Sequence, residues 1–592
     1  MKAKFKNPTQ VGCELNMKKL QKNPSSPVLQ ILSEIKGPVA VMFLLGLLIN
    51  ALQLTGSLHM MQVYDRVLAS RSVSTLMALT LISVFLVALF GVLEACRSYA
   101  LTGIGGIIEQ RLSGPVFNQM FFRSSLTGSD QAAAQPLRDL EQIRTFISAN
   151  GLTTLLDIPS IPVFFAILYF LHPMFAALGA VAILLVIGTA VGQAALSTKK
   201  LAQSSSENIR SFALLESSLQ NAEAATAMGM RANIWARWQQ RHVAMLNQQE
   251  DASRIAGGGA ALIKFLQLIF AAVLTMGLGA FLVLEQSITP GVMIVATFVL
   301  ARALAPSFQA VTLWQSAANA RSAHQRLCAF MSSGVLEKKG MELPAPKGAL
   351  SVENLVLSIP GSRVALLRGV TFSLQAGESL AIVGGSGAGK STLARGILGI
   401  WPPSGGAVRL DGADLSRMPR EQVGRYIGYL PQDVELFEGS VAENIARLGD
   451  VDAEKVVAAA TAAGLHELVL RLPQGYDTQL GAGGRGLSPG QRQRIGLARA
   501  LYDEPRFIVL DEPNSNLDGA GEAALSTALE GLRASGVTTV TITHRPNILT
   551  IVDKILLLRD GQVEAFGPRE EILPRLTRPA KIARPVKAIA NS

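Results

Sequence analysis

Cysteine is scarce in this sequence: Cys13, Cys96 and Cys328 are its only three. They stand too far apart for a disulfide framework or a metal-binding spacing, so neither disulfides nor a zinc module holds the fold. Charge is scarce as well. Only 16% of the 592 residues are Asp, Glu, Lys or Arg, where a soluble globular chain has about a quarter. Hydrophobic residues make up 49% and the mean hydropathy is +0.33, so membrane spans are the first expectation. A recognisable nucleic-acid-binding motif is missing too. The net charge of +11 is therefore read against an anionic membrane surface, with lipid headgroups as the partner and no nucleic acid. The first 27 residues are polar and basic, without a short apolar core and cleavage site. That pattern predicts no removable signal peptide and a first span acting as an uncleaved anchor.

A span needs about 20 mostly apolar residues, and six runs qualify: 39–58, 75–93, 155–171, 174–192, 265–284 and 292–306. The connections alternate. Short ones follow the first, third and fifth runs, whereas 97–154 and 193–264 are long, polar and helix-patterned. The long ones carry Arg111, Arg123, Arg144, Lys199, Arg231 and Arg241 among other basic residues; the short ones have little beyond Arg66 and Arg71. Basic residues accumulate on the cytoplasmic side, which puts both tails, both long connections and everything after the sixth run in the cytoplasm. Glu94, Arg97 and Lys264 read as helix ends whose side chains reach out to water. Asn50, Gln53 and Arg302 lie at membrane depth, where polar groups face protein or a wet cavity.

From residue 350 the pattern changes to short β-rich runs, glycine turns and amphipathic helices, an α/β pattern. The expected organisation is a cytoplasmic tail (1–27), a six-helix transmembrane domain (28–333), a linker (334–349), a nucleotide-binding domain (350–573) and a basic tail (574–592). The fold class is thus an α-helical six-span domain joined to an α/β phosphate-loop domain.

The apolar run Leu380-Ala381-Ile382-Val383 leads into Gly384-Gly385-Ser386-Gly387-Ala388-Gly389-Lys390-Ser391, and Thr392 continues into a helical stretch. Strand, G-x-x-x-x-G-K-[ST] loop and helix is the context a phosphate-binding loop requires. Its backbone N–H groups cradle phosphates at a helix N-terminus. Lys390 reaches the β- and γ-phosphates, and Ser391 suits Mg²⁺. A second apolar run, 507–510, ends in Asp511-Glu512. Asp511 is placed to hold Mg²⁺, and Glu512 to orient and deprotonate the attacking water.

Between the two lies Leu487-Ser488-Pro489-Gly490-Gln491. The sequence here resembles the ABC ATPases, whose signature is Leu-Ser-Gly-Gly-Gln; Pro489 takes the third position. Ser488 suits an N-cap, Pro489 the first helical position, and Gln491 completes a Ser-x-x-Gln capping box. The resemblance implies that Ser488, Gly490 and Gln491 face the γ-phosphate held by an opposite subunit. It also implies that Gln432 is the Q-loop glutamine, touching Mg²⁺ and the attacking water, that 515–518 is the D-loop, and that His544 is the switch histidine. The adenine-stacking aromatic of the family is replaced by Ile359, an aliphatic side chain with weaker stacking. One phosphate loop and one signature per chain imply a dimer, most simply a homodimer.

The fused order resembles ABC exporters. The stretch Leu58-His59-Met60-Met61-Gln62-Val63-Tyr64-Asp65-Arg66-Val67-Leu68 is similar to type I secretion permease/ATPases, in the branch exporting proteases, lipases and haem-binding proteins. The tail of under 40 residues before the first run fits that branch rather than exporters with an N-terminal peptidase-like domain. This implies ATP and Mg²⁺ as cofactors, a bacterial inner-membrane location, and an unfolded protein substrate with a C-terminal signal. It further implies a periplasmic adaptor and an outer-membrane channel as partners. Export of lipids or small amphiphiles is the alternative. Segments near Phe121-Phe122 and 222–229 are expected to couple ATPase motion to the spans.

Overall fold

The computed structural model describes residues 36–127, 134–148, 150–332, 344–359 and 364–577. Cys13, the N-terminal tail, most of the expected linker and residues 578–592 of the basic C-terminal tail lie outside them, whereas the first four residues of that C-terminal tail belong to the helix Arg569–Thr577. The chain divides near residue 335 into two compact units.

Among the described residues of the first unit, six helical segments are long and apolar enough to cross a membrane: Ala40–Ser70, Val73–Leu126, Gly151–Leu171, Pro173–Gln220, Arg231–Leu284 and Pro290–Ala310. Each contains or largely overlaps one of the apolar runs. The runs mark only the greasiest part of each helix, however. The helix Val73–Thr127 has 55 residues, which at 1.5 Å per residue is roughly 80 Å, far more than the ~30 Å of hydrocarbon. The long polar connections are therefore mostly continuations of the spans. Pro173–Gln220 packs along Arg231–Leu268, and the turn between them holds the short helix Ala222–Ala227 and Gly229 at φ +64°. The sixth run does not stop at Pro306: the helix continues to Thr312 with that proline inside it.

Arg97 corrects the sequence reading. It does not reach out to water but is buried, 4% exposed, and pairs with Glu94 at 2.8 Å and Asp157 at 2.9 Å. Asn50 Nδ2 donates to the same Asp157 oxygen at 3.1 Å, so the first three spans meet at one ionic cluster. A charge in an apolar surround is retained where it is paired, and Asp157 supplies the pair. Lys264 and Arg302 are exposed, and Gln53 is half-buried.

The stretch 58–68 also acquires a structural role. A π-turn spans Val63–Val67, and Asp65 accepts from Thr289 Oγ1 (2.6 Å) and Gly291 N (2.9 Å). Its carboxylate thereby satisfies one backbone N–H, that of Gly291, at the start of the helix Pro290–Thr312 and suits the positive end of its dipole.

The second unit has a six-stranded sheet. Its order is Gln562–Pro568, Lys554–Arg559, Ser379–Val383, Thr538–Ile542, Phe507–Asp511 and Ile427–Leu430. Only the first of these strands is antiparallel to its neighbour; the other five run parallel. Phe507–Asp511 and Thr538–Ile542 are buried along their whole length, as expected of parallel strands covered on both faces. A four-stranded antiparallel sheet, from Leu350–Ser358, Ala365–Leu374, Gly405–Leu410 and Ala413–Asp414, lies beside it. Leu355, Leu357, Leu367 and Phe372 from that sheet share one core with Leu393, Ile397, Val509 and Val540.

Candidate ATP-hydrolysing site

Parallel strands end at the same edge of a sheet, and their register here brings four ends level. Ile542 pairs with Asp511 and Ile382, and Leu430 with Leu510. The residues that follow those ends are the phosphate loop after Val383, Gln432 after Leu430, Glu512 after Asp511 and His544 after Ile542. Ligands of open α/β sheets bind beyond the carboxyl ends of the strands. Segments up to 160 residues apart in sequence thus converge by topology alone.

The phosphate loop is shaped by its glycines. Gly389 stands at φ +97° as the N-cap of the helix Lys390–Ile397, a conformation side chains rarely adopt. Gly384 lies so close to the Leu558 carbonyl that a Cβ there has no room. Gly385, Ser386 and Gly387 are exposed, whereas the Ala388 side chain is buried. The Ala388 N–H is used within the loop, donating to the Gly385 carbonyl at 3.2 Å. Lys390 is 8% exposed, and its Nζ donates to the Gly384 and Gly385 carbonyls at 2.9 and 3.0 Å. The cation is therefore held directly over the loop backbone. Ser391 and Thr392 are half-buried in the first turn.

Asp511 is 3% exposed. Burial pushes its carboxyl above the usual carboxylate range, against the Ser391 hydroxyl bonded to it and the nearby Arg395 and Lys390 charges. Its Oδ1 has no hydrogen-bond partner among the described residues. A buried carboxylate oxygen without a partner, next to a serine hydroxyl at a phosphate loop, is a donor set of hard oxygens suited to Mg²⁺.

Glu512 has φ +50°, a region costly for a residue with a side chain and concentrated at functional sites. That turn takes its carboxylate out of the strand line toward two neighbours. Gln432 Nε2 donates to Oε2 at 3.3 Å, and His544 Nε2 stands 4.0 Å from Oε1. The three residues expected to be catalytic form one cluster.

The signature segment forms the N-terminus of the helix Pro489–Leu501. Ser488 Oγ accepts from Gln491 N at 3.2 Å, and Gln491 Oε1 accepts from Ser488 N at 2.8 Å, a complete capping box. The Gln491 side chain is thus committed to building the helix end. Arg447, absent from the sequence reading, secures the other end by donating to the Arg499, Ala500 and Tyr502 carbonyls. Ile359 is 44% exposed at the end of the strand Leu350–Ser358, where it presents an aliphatic surface. Sequence reasoning also missed Gln493, which is 1% exposed. A polar residue two positions before the apolar run Ile495, Gly496, Leu497 and Ala498, all buried, was the available signal.

Residues 367–515 match the family described as ABC transporter, and residues 39–304 the ABC transporter transmembrane region. The chain is 40% identical over 545 residues to the type I secretion system ATP-binding protein PrsD of Rhizobium meliloti (strain 1021), covering 91% of this chain and 92% of that protein. It is 29% identical over 520 residues to the toxin RTX-I translocation ATP-binding protein of Actinobacillus pleuropneumoniae, covering 86% and 73% respectively. A bacterial Atm1-family ABC exporter solved with ATP bound shares the fold, with a TM-score of 0.79 at 22% identity over 91% of this chain and 96% of that one. With its spans and its phosphate loop both accounted for, the chain belongs to the ABC transporters, in the group of type I secretion ATP-binding proteins, and couples ATP hydrolysis to transport.

Proposed function

We propose that this protein exports unfolded polypeptides carrying a C-terminal signal across the bacterial inner membrane, as the ABC component of a type I secretion system. The observation that carries protein as the cargo is the likeness to PrsD along 91% of the chain. The likeness to a protein named for translocation of the RTX-I toxin supports it. The spans lie in the inner membrane with the ATPase domain in the cytoplasm. A periplasmic adaptor and an outer-membrane channel complete the route.

Two copies form a homodimer in which the signature end of one chain, Ser488 and Gly490, meets nucleotide on the phosphate loop of the other. Helix N-termini attract anions, and the capping box leaves this one rigid. The loop Gly384–Ser391 cradles the phosphates, and Lys390 leaves the Gly384 and Gly385 carbonyls to meet them. Asp511, Ser391 and Gln432 would hold Mg²⁺, which neutralises charge on the phosphates when bound. Glu512 orients the attacking water and takes its proton, while His544 and Gln432 fix the carboxylate. ATP draws the two ATPase domains together and hydrolysis parts them. The turn at 222–229 and the helix end near Phe121-Phe122 pass that motion to the spans.

Secretion of a reporter bearing a C-terminal signal, in cells supplying adaptor and outer channel, tests this. Wild type releases reporter into the medium and Glu512→Gln does not. Retention by both, across several unrelated signals and with the ATPase activity of wild type intact, moves the cargo to lipids or small amphiphiles.

A further inference from the structure

The signature helix does more than present its N-terminus: it grips the D-loop and Glu512 of its own chain. Residues three and four apart share one face of a helix, and Gly490, Gln493 and Arg494 have that spacing on Pro489–Leu501. All three meet the segment 512–518. A Cβ on Gly490 would stand 2.7 Å from the Asn516 carbonyl, so only glycine permits that approach. Arg494 Nη2 pairs with Asp518 at 2.5 Å, and Asp518 in turn caps the helix Gly519–Ala534. Between them, Gln493 makes the central contact. Its Nε2 donates to the Glu512 carbonyl at 3.1 Å and the Ser515 hydroxyl at 3.3 Å, and its Oε1 accepts from Asn516 N at 2.9 Å.

The contact with Glu512 matters because of the backbone there. At φ +50° this residue sits in a sparsely populated conformation, costing about 1–3 kcal/mol, which persists only where the surroundings hold it. One hold is the sheet, through Glu512 N donating to the Ile542 carbonyl at 3.0 Å. On the carbonyl side Ser515 N donates within the turn at 3.2 Å, and Gln493 adds the tie to the signature helix. The amide of Gln493 is buried and its two ends face three backbone or hydroxyl groups that have fixed positions. Rotating the signature helix would therefore move the Glu512 carbonyl and the D-loop with it.

We infer that Gln493 is a positioning residue for hydrolysis, locking Glu512 of its own chain to the signature helix so that the helix sets the direction of the Glu512 carboxylate. This rests on the reading of Glu512 as the base proposed above. In a dimer whose signature end senses nucleotide on the partner subunit, the same contact ties each Glu512 to the state of the opposite site.

The test is Mg·ATP hydrolysis by the full-length protein in lipid nanodiscs. Gln493→Met keeps the volume and removes both hydrogen-bonding groups; Gln493→Asn keeps the amide but is one methylene short. A displacement of about 1 Å from attack geometry costs about 100-fold in rate. Both variants should lose about 10- to 100-fold in kcat with KM for ATP within about threefold of wild type. Combining either with Glu512→Gln should add no further loss, because residues acting as one unit are non-additive. Kcat within twofold of wild type, an equal loss in the Glu512→Gln background, or a change confined to KM would each overturn the assignment. If Glu512→Gln itself hydrolyses ATP normally, the reading of Glu512 fails instead. Should both Gln493 variants melt early, exposed Ser515→Ala removes one acceptor of the same amide. It should lower kcat by about threefold at unchanged KM, and an unchanged kcat would overturn the proposal.

Discussion

The two units each bury a cluster of charged and polar groups, and the clusters differ in how they are made. In the membrane unit, Asn50, Glu94, Arg97 and Asp157 come from three spans and pair with one another, and Asp157 takes hydrogen bonds from both Asn50 and Arg97. In the ATPase unit, Asp511 keeps an oxygen without a partner and Glu512 is held in a strained conformation. A cluster whose cation and carboxylates neutralise one another holds helices together. One left open, and supported at some energetic cost, is available to a cation, a phosphate and a water.

That contrast gives four expectations, taken from the largest effect down. Glu512→Gln should lower kcat by about 10²–10⁴-fold, the usual contribution of a general base, with melting temperature and ATP binding kept; phosphate release and thermal shift check both. Asp157→Ala should do the opposite. Removing one partner of a buried pair costs about 3–5 kcal/mol, so the membrane unit should lose stability in detergent unfolding while nucleotide binding survives. Comparable activity losses without any loss of stability would erase the distinction between the clusters.

The third expectation concerns pH. The Asp511 carboxyl is raised by burial, so the folded chain holds that proton more tightly than the unfolded one. Its contribution to stability is present below the ordinary carboxylate range and is lost as pH rises through the folded-state pKa. At neutral pH without Mg²⁺ the buried carboxylate is a cost, and Asp511→Asn should melt about 2–4 °C higher. Mg²⁺ should stabilise wild type and not the variant. The Mg²⁺ concentration needed should rise as pH falls, because protons compete for the same oxygens. Smallest is Ser488→Ala, which should cost about 1 kcal/mol through loss of the helix cap, read by denaturant unfolding of the ATPase unit.

The same contrast explains what the sequence disclosed. Gly384 to Ser391, Asp511-Glu512 and His544 were legible because short motifs follow apolar strands, and parallel strands deliver their ends to one edge. The spans were legible as apolar runs, but their lengths were not. Hydropathy stops where a helix leaves lipid, and a helix such as Val73–Thr127 does not. Arg97 was read as solvated because it follows an apolar run; Asp157, 60 residues away, reverses that reading. An acidic residue inside an apolar stretch was itself a signal, since such groups pair with something. Gln493 and Arg447 carried less, because a glutamine or arginine acquires its role only from backbone groups that tertiary structure places beside it.

The most direct test of ATP-driven protein export is phosphate release by the protein in nanodiscs, with and without an unfolded polypeptide ending in a secretion signal. A concentration-dependent change in wild-type turnover is expected, absent when the signal is deleted and absent in Glu512→Gln. Turnover that ignores the polypeptide and follows added lipid or small amphiphiles would contradict it.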